Sequence, residues 1–286
     1  MARDSTQTRA TRTVVTTNVT TRATPEPREL VAWLQHTRSQ KGLRAAREAL
    51  LPLHRRHPDN PAISELFDWH DACWWQPLRF GCISLERQAA EHFEFVWTLA
   101  LDTDFSSKLA QFPGFPTPKE LLEELTTNEQ SLVPEINAIH WVVFRDGTPI
   151  GLAAIVNINF LHRVATLSLG VLPGHDRSMA VADAFCASLM FAFNCLGMNK
   201  VQSRVSISND HATQLQKRLG FTEEACLKQE VWAESDNRYQ DLIALSMLRD
   251  EFATNKVLQR QIRRRHDPML DQTRAWPRHP LRQLRV

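Results

Sequence analysis

The 286-residue chain lacks a CxxC pair, and its five cysteines (Cys73, Cys82, Cys186, Cys195 and Cys226) are odd in number. Both facts argue against a disulfide framework, and a chain of this length buries enough surface to need no staple. A reducing, cytoplasmic compartment is expected. No apolar run reaches the roughly 20 residues of a bilayer crossing. The longest, residues 184–199, lies between Asp183 and Lys200 and reads as a buried helix. The first residues carry no apolar segment of the secretory kind. Acidic residues are scarce at both ends, where residues 1–28 net +3 and residues 257–286 net +6, which leaves −7 for the body between them. A nucleic-acid-binding domain concentrates Lys and Arg on its folded surface, so nucleic acid is not an expected partner. Asp68, His70, Asp71 and Cys73 are metal-ligand types in close sequence, but no second Cys/His pair stands at zinc spacing, and no metal site is predicted.

What is present divides the chain into four parts. Residues 1–25 hold nine Thr and almost nothing large and apolar, too little to offset the entropy of ordering, and are predicted to be disordered. Residues 26–76 carry helical spacing (Leu30, Val31, Leu34, then Leu43, Ala46, Leu50, Leu53) and a third helix after Asp59-Asn60-Pro61. One such hairpin is too short for a solenoid and is predicted to pack on the main domain, through Trp69, Trp74 and Trp75, or to bind a protein partner. Residues 77–252 alternate strand and helix patterns. A strand at 79–85 is followed by helices at 86–101 and 118–128. Two apolar strands flank Asp146-Gly147, the signature of a tight hairpin. A third strand (165–172) leads through Pro173-Gly174 into a helix with Val181, Phe185, Leu189 and Leu196 on one side. A strand at 200–208, a short helix at 209–219 and strands at 226–233 and 239–248 complete the order. Residues 253–286 form a basic extension.

Five segments, DGTPIGLAAI, LSLGVLPG, FAFNCLGMNKVQSRV, NDHATQLQKRLGF and DLIALSMLRDEF, in this order and spacing, resemble the GNAT superfamily of acetyl-CoA-dependent N-acetyltransferases, within it the branch acting on ribosomal-protein N-termini. The resemblance covers about 175 residues and implies an α/β fold with a mixed central sheet and flanking helices. It also implies acetyl-CoA as small-molecule acyl donor and a primary amine of a peptide or amino sugar as acceptor.

The chemistry needs a diphosphate cradle, a donor for the developing oxyanion and a route for the amine's proton. A helix N-terminus supplies unpaired N–H groups, and here the resemblance implies Arg177, Ser178, Met179 and Ala180 as cofactor contacts. Their sequence departs from the family's glycine-rich pattern. Main-chain groups at Leu169 and Val171 are the predicted thioester-polarising donors. Asn209 matches a cofactor-arm contact of the family and equally suits a helix cap. The family's Tyr position holds Gln216, and the Ser of the ribosomal branch aligns with Ala212. Ser168, Asn209 and His140 are therefore the catalytic candidates, with Thr166, His92, Glu94, His162 and His211 as other groups near a proton path. The missing glycine and tyrosine also suit a second reading, a degenerate fold that binds acyl-CoA without turnover.

Overall fold

The computed structural model describes residues 27–70, 74–102, 105, 117–132, 137–175, 179–233, 237–265 and 270. The disorder expected of residues 1–25 and most of the tail after residue 265 lie outside this set.

The N-terminal helices are α1 (Pro27–Arg56) and α2 (Pro61–Trp69). Gly42, at φ 82° and ψ 172°, breaks α1 into two arms, because only a residue without Cβ enters that region at little cost. Asn60 caps α2, its Oδ1 accepting from Ala62 N (3.0 Å) and Ile63 N (3.2 Å), with Pro61 in the first turn. Leu30 and Leu34 of the first arm, Leu50 and Leu53 of the second, and Ile63 and Leu66 of α2 share one apolar cluster. Trp74 joins this module to the main body. Its Nε1 donates to Asp68 O (3.1 Å), while its ring stands edge-on to Phe191 at 5.2 Å inside the main core.

The body is an eight-stranded sheet in the order β1-β2-β3-β4-β5-β6-β8-β7. Its strands are β1 (Leu78–Phe80), β2 (Ile83–Arg87), β3 (Ile139–Arg145), β4 (Thr148–Asn159), β5 (Val164–Val171), β6 (Lys200–Ser206), β7 (Thr222–Ala233) and β8 (Arg238–Leu248). All neighbours are antiparallel except β5 and β6. The Asp146-Gly147 turn has φ 51° and 77°, as a two-residue hairpin of this handedness requires. One face of the sheet carries α5 (Met179–Met190), prolonged by a π turn at Phe191–Cys195. The other carries α3 (Phe93–Leu101) and α4 (Pro118–Gln130), whose Val96, Leu99, Leu121 and Leu125 meet Val142 and Leu152. The short helix α6 (Asp210–Leu219) precedes β7, and α7 (Arg249–Thr254) and α8 (Lys256–Arg265) follow β8.

Three boundaries differ from the sequence reading. Residues 79–85 form two strands about Gly81 (φ 56°), not one. The helix read from residue 86 starts at Phe93, because Glu86 and Arg87 continue β2 against Val142 and Trp141. β7 begins at Thr222, four residues early, paired with Ser246. Exposed polar residues there obscure the alternation that marks a half-buried strand.

The turn at Gly81 has a packing reason. Asp183 of α5, fully buried, receives Arg265 Nη1 (2.9 Å to Oδ1) and Cys82 N (3.1 Å to Oδ2), and a Cβ on Gly81 would collide with that carboxylate. The carboxylate thereby ties α5 to the β1–β2 turn and to α8, and so helps fix the axis of the helix whose N-terminal half lies beside the site. The Cys186 thiol nearby is pushed up to about 12, by burial first and by the Asp183 charge second, which leaves it an unreactive core group.

Candidate active site

β5 and β6 pair only at their starts, Val164↔Lys200, Ala165↔Val201 and Thr166↔Gln202. Beyond these, each strand keeps only its outer neighbour, β5 with β4 as far as Gly151↔Val171 and β6 with β8 as far as Ser206↔Leu242. The sheet thus opens as a wedge in its interior. Leu172 N donates to Ile150 O (2.8 Å), so the even-numbered residues of β5 bond to β4. Strand alternation then turns the amides of Leu169 and Val171 toward the gap, where no strand stands opposite.

The wedge holds a cleft of ≈ 320 Å³. β5 from Thr166 to Val171 forms one wall. Ser203, Arg204 and Val205 of β6 and Asn209, Ala212 and Gln216 at α6 form the other. Val181 and Phe185 of α5 close it beneath, and Asp102 and Phe105 reach it from beyond α3. Those last two, and Arg204, escaped sequence reasoning. Arg204 reads as an ordinary polar strand residue, and Asp102 and Phe105 lie past a helix end where periodicity carries no signal.

Of the residues singled out from sequence, Ser168, Leu169, Val171 and Asn209 come together here. Asn209 caps α6, its Oδ1 accepting from Ala212 N (3.1 Å) and its own N–H donating to Ser206 O (2.8 Å). Both bonds seat the residue at the cleft wall. Met179 and Ala180 head α5 outside the cleft lining. Met179 is half exposed and faces a shallow groove edged by Lys256, Arg260 and Arg264, while Ala180 is fully buried in the main core. Arg177 and Ser178 lie outside the described residues, as do Asp71 and Cys73 of the rejected metal grouping. Among the described residues no cluster of His, Cys, Asp and Glu is arranged to hold a metal ion.

His140 stands apart from the cleft lining. It opposes Ala154, which opposes Ser168, so the three occupy one row on one face of the sheet. Two strand spacings place His140 roughly 10 Å from Ser168. Burial, reinforced by the Arg87 guanidinium, pushes the imidazole down to about 4, and its Nδ1 is buried without a hydrogen-bond partner. A base that weak holds no proton at neutral pH, so any part in proton removal passes through water to a stronger acceptor.

The same depression predicts a pH dependence of stability. The unfolded histidine titrates near ~6.5 and the folded one near about 4, so between these values the unfolded chain binds more protons. The neutral His140 contribution is complete above pH ~6.5 and is lost as the pH falls through about 4, to a limit of about 3 kcal/mol. His140→Phe is expected to flatten this part of the stability profile in urea unfolding at pH 4.5 and 7.5. An unchanged slope would place the proton uptake elsewhere.

A cleft between diverging parallel strands, with free main-chain amides on one wall, suits a thin extended ligand carrying its own amides. The family model described as Acetyltransferase (GNAT) domain matches residues 83–222. A spermidine N(1)-acetyltransferase of Vibrio cholerae is 27% identical over 140 residues, 48% of this chain and 79% of the relative. One from Escherichia coli is 24% identical over 138 residues, 48% and 73% of the two chains. The crystal structure of spermidine N-acetyltransferase from Vibrio cholerae in complex with CoA and spermine superposes with a TM-score of 0.51 at 23% identity, over 60% of this chain and 99% of that one, a likeness of fold. No described helix is long and apolar enough to cross a membrane. Residues 83–222, just under half of the chain, match the GNAT acetyltransferase domain model, and together with the order of the sheet this match supports an acetyl-CoA-dependent N-acetyltransferase.

Proposed function

We propose that this enzyme acetylates a primary aliphatic amine of the polyamine class. The observation that carries the transfer is the interior opening of the sheet, where β5 and β6 part after Thr166–Gln202 and leave the Leu169 and Val171 amides without a strand partner on the wall of a cleft. Acetyl-CoA supplies the activated acyl carbon. Leu169 or Val171 N–H is positioned to polarise the thioester carbonyl from a preorganised strand, a placement that favours the charge developing on oxygen. Val181 and Phe185 exclude water beneath the wedge. The incoming amine must lose its proton before it attacks, and Ser168 on the open face of β5 can bridge that proton to solvent, since its own hydroxyl is too weak a base to keep it.

The polyamine acceptor rests on the relatives at 24% and 27% identity, all named for spermidine. A second reading, the peptide N-terminus or amino sugar suggested by the sequence, has one observation in its favour. Asp102 is the sole carboxylate among the described cleft-lining residues, and Arg204 lines the same cleft, bridged to Glu230 at 3.0 Å. A doubly or triply charged acceptor would gain from more acidic company. Thiol release from acetyl-CoA with spermidine, spermine, a free-N-terminal peptide and glucosamine separates the two. Turnover with spermidine and spermine is expected. Turnover with the peptide or sugar alone would move the acceptor to the second reading, and no CoA binding by calorimetry would overturn acetyl transfer itself. A cytoplasmic setting belongs to this proposal and accords with the free thiols of Cys82, Cys186, Cys195 and Cys226.

A further inference from the structure

Gln216 is 3% exposed, lines the cleft, and has its side-chain Oε1 buried with no hydrogen-bond partner. Its backbone is fully engaged, the carbonyl accepting from Phe221 N (3.0 Å) at the end of α6, so the side chain cannot turn away by unwinding the helix. A buried amide oxygen without a donor costs stability, and in native structures such a group marks a place for a water, an ion or a ligand to supply the missing partner. The neighbours do not supply it. Ala212 and Leu215, about one turn or less before it on α6, are apolar, and Phe185 of α5 lines the same cleft.

The ligand's chemistry can be narrowed. An acceptor ammonium at this depth would place a full charge against one neutral amide, a poorly compensated burial. The thioester offers a carbonyl oxygen and a sulfur but no donor. The donors that remain on the acyl donor are those of the pantetheine arm, of which the two amide N–H groups lie nearest the thioester and the hydroxyl farther along. We propose that Gln216 clamps the acyl donor by accepting one of these N–H groups on Oε1, opposite the main-chain groups of Leu169 and Val171, so that the arm is held from both walls of the wedge. This rests on the acetyl-transfer reading. It makes Gln216 a binding residue that fixes the depth at which the thioester sits, and it assigns the residue no proton transfer, since an amide has no proton to give at neutral pH.

The test is Gln216→Leu, which keeps the volume and removes the unpartnered oxygen. In the ligand-free protein the variant is expected to melt several degrees higher. Its affinity for CoA, by calorimetry, is expected to fall about tenfold, while adenosine 3′,5′-bisphosphate, which has no pantetheine arm, should bind as it does to wild type. A gain in stability together with an arm-specific loss of affinity is a pair that a purely structural glutamine does not produce. Equal CoA affinity in variant and wild type would overturn the clamp while leaving acetyl transfer standing. Equal losses for CoA and the bisphosphate would overturn it as well, by showing general damage to the cleft. A wild type that binds no CoA overturns both readings. Should Gln216→Leu fail to fold, Gln216→Met carries the same three expectations.

Discussion

Replacing Ala212 by Trp is expected to abolish acetyl-CoA binding, with an affinity loss of at least about a hundredfold by calorimetry, roughly 3 kcal/mol, and little change in melting temperature. The residue sits on the cleft wall of α6, partly buried against the main core. Its backbone N–H stays bonded to Asn209 Oδ1 whatever side chain it bears, so the helix cap survives. An indole projecting into a cleft of ≈ 320 Å³ would occupy the path of the ligand rather than the core. Wild-type affinity in this variant would mean that the acyl donor lies elsewhere, and the wedge would lose its assigned role.

The second large effect comes from the opposite wall. Gly151 on β4 pairs with Val171, and a Cβ there would run into Gly170 O and come within 2.7 Å of Val171 Cα. Both are backbone atoms of the strand that forms the cleft, and neither can move without shifting the strand. Gly151→Val is therefore expected to cost about 3 kcal/mol, a drop in melting temperature on the order of 10 °C. It should also reduce kcat/KM well beyond what stability explains, because the displaced segment is the one that turns its amides to the gap. Scanning calorimetry and steady-state kinetics at a temperature where the variant stays folded check the two effects separately. A stable variant with wild-type kcat/KM would show that the end of β5 plays no part in the reaction.

These two substitutions probe one arrangement, and its origins in the chain are uneven. The hairpin around Asp146-Gly147 was legible because two residues at positive φ leave few alternatives, and β5 because Ala165, Leu167, Leu169 and Val171 alternate with Thr166, Ser168 and Gly170. The long helix declared itself through Val181, Phe185 and Leu189, and α6 through Asn209 at one end and Gly220 (φ 99°) at the other. Local periodicity and caps are properties of a few neighbouring residues, so they survive in a string of letters. Gln216 shows the limit of that legibility. Its position in the short helix could be read, but not that its amide oxygen would be sealed from water without a partner.

The sequence by itself determined the order of strands and helices between residues 118 and 248, the Asp146-Gly147 turn and the segments able to form a cleft. Only the tertiary structure decided that β5 and β6 part after three paired residues, that Asp102 and Arg204 reach the same space, that Ala180 turns into the core, and that His140 stays two strands from Ser168 and is held neutral. The reason is physical. Secondary structure follows from contacts a few residues apart, whereas the divergence of two parallel strands and the proton affinity of a buried imidazole depend on what the whole chain packs against them.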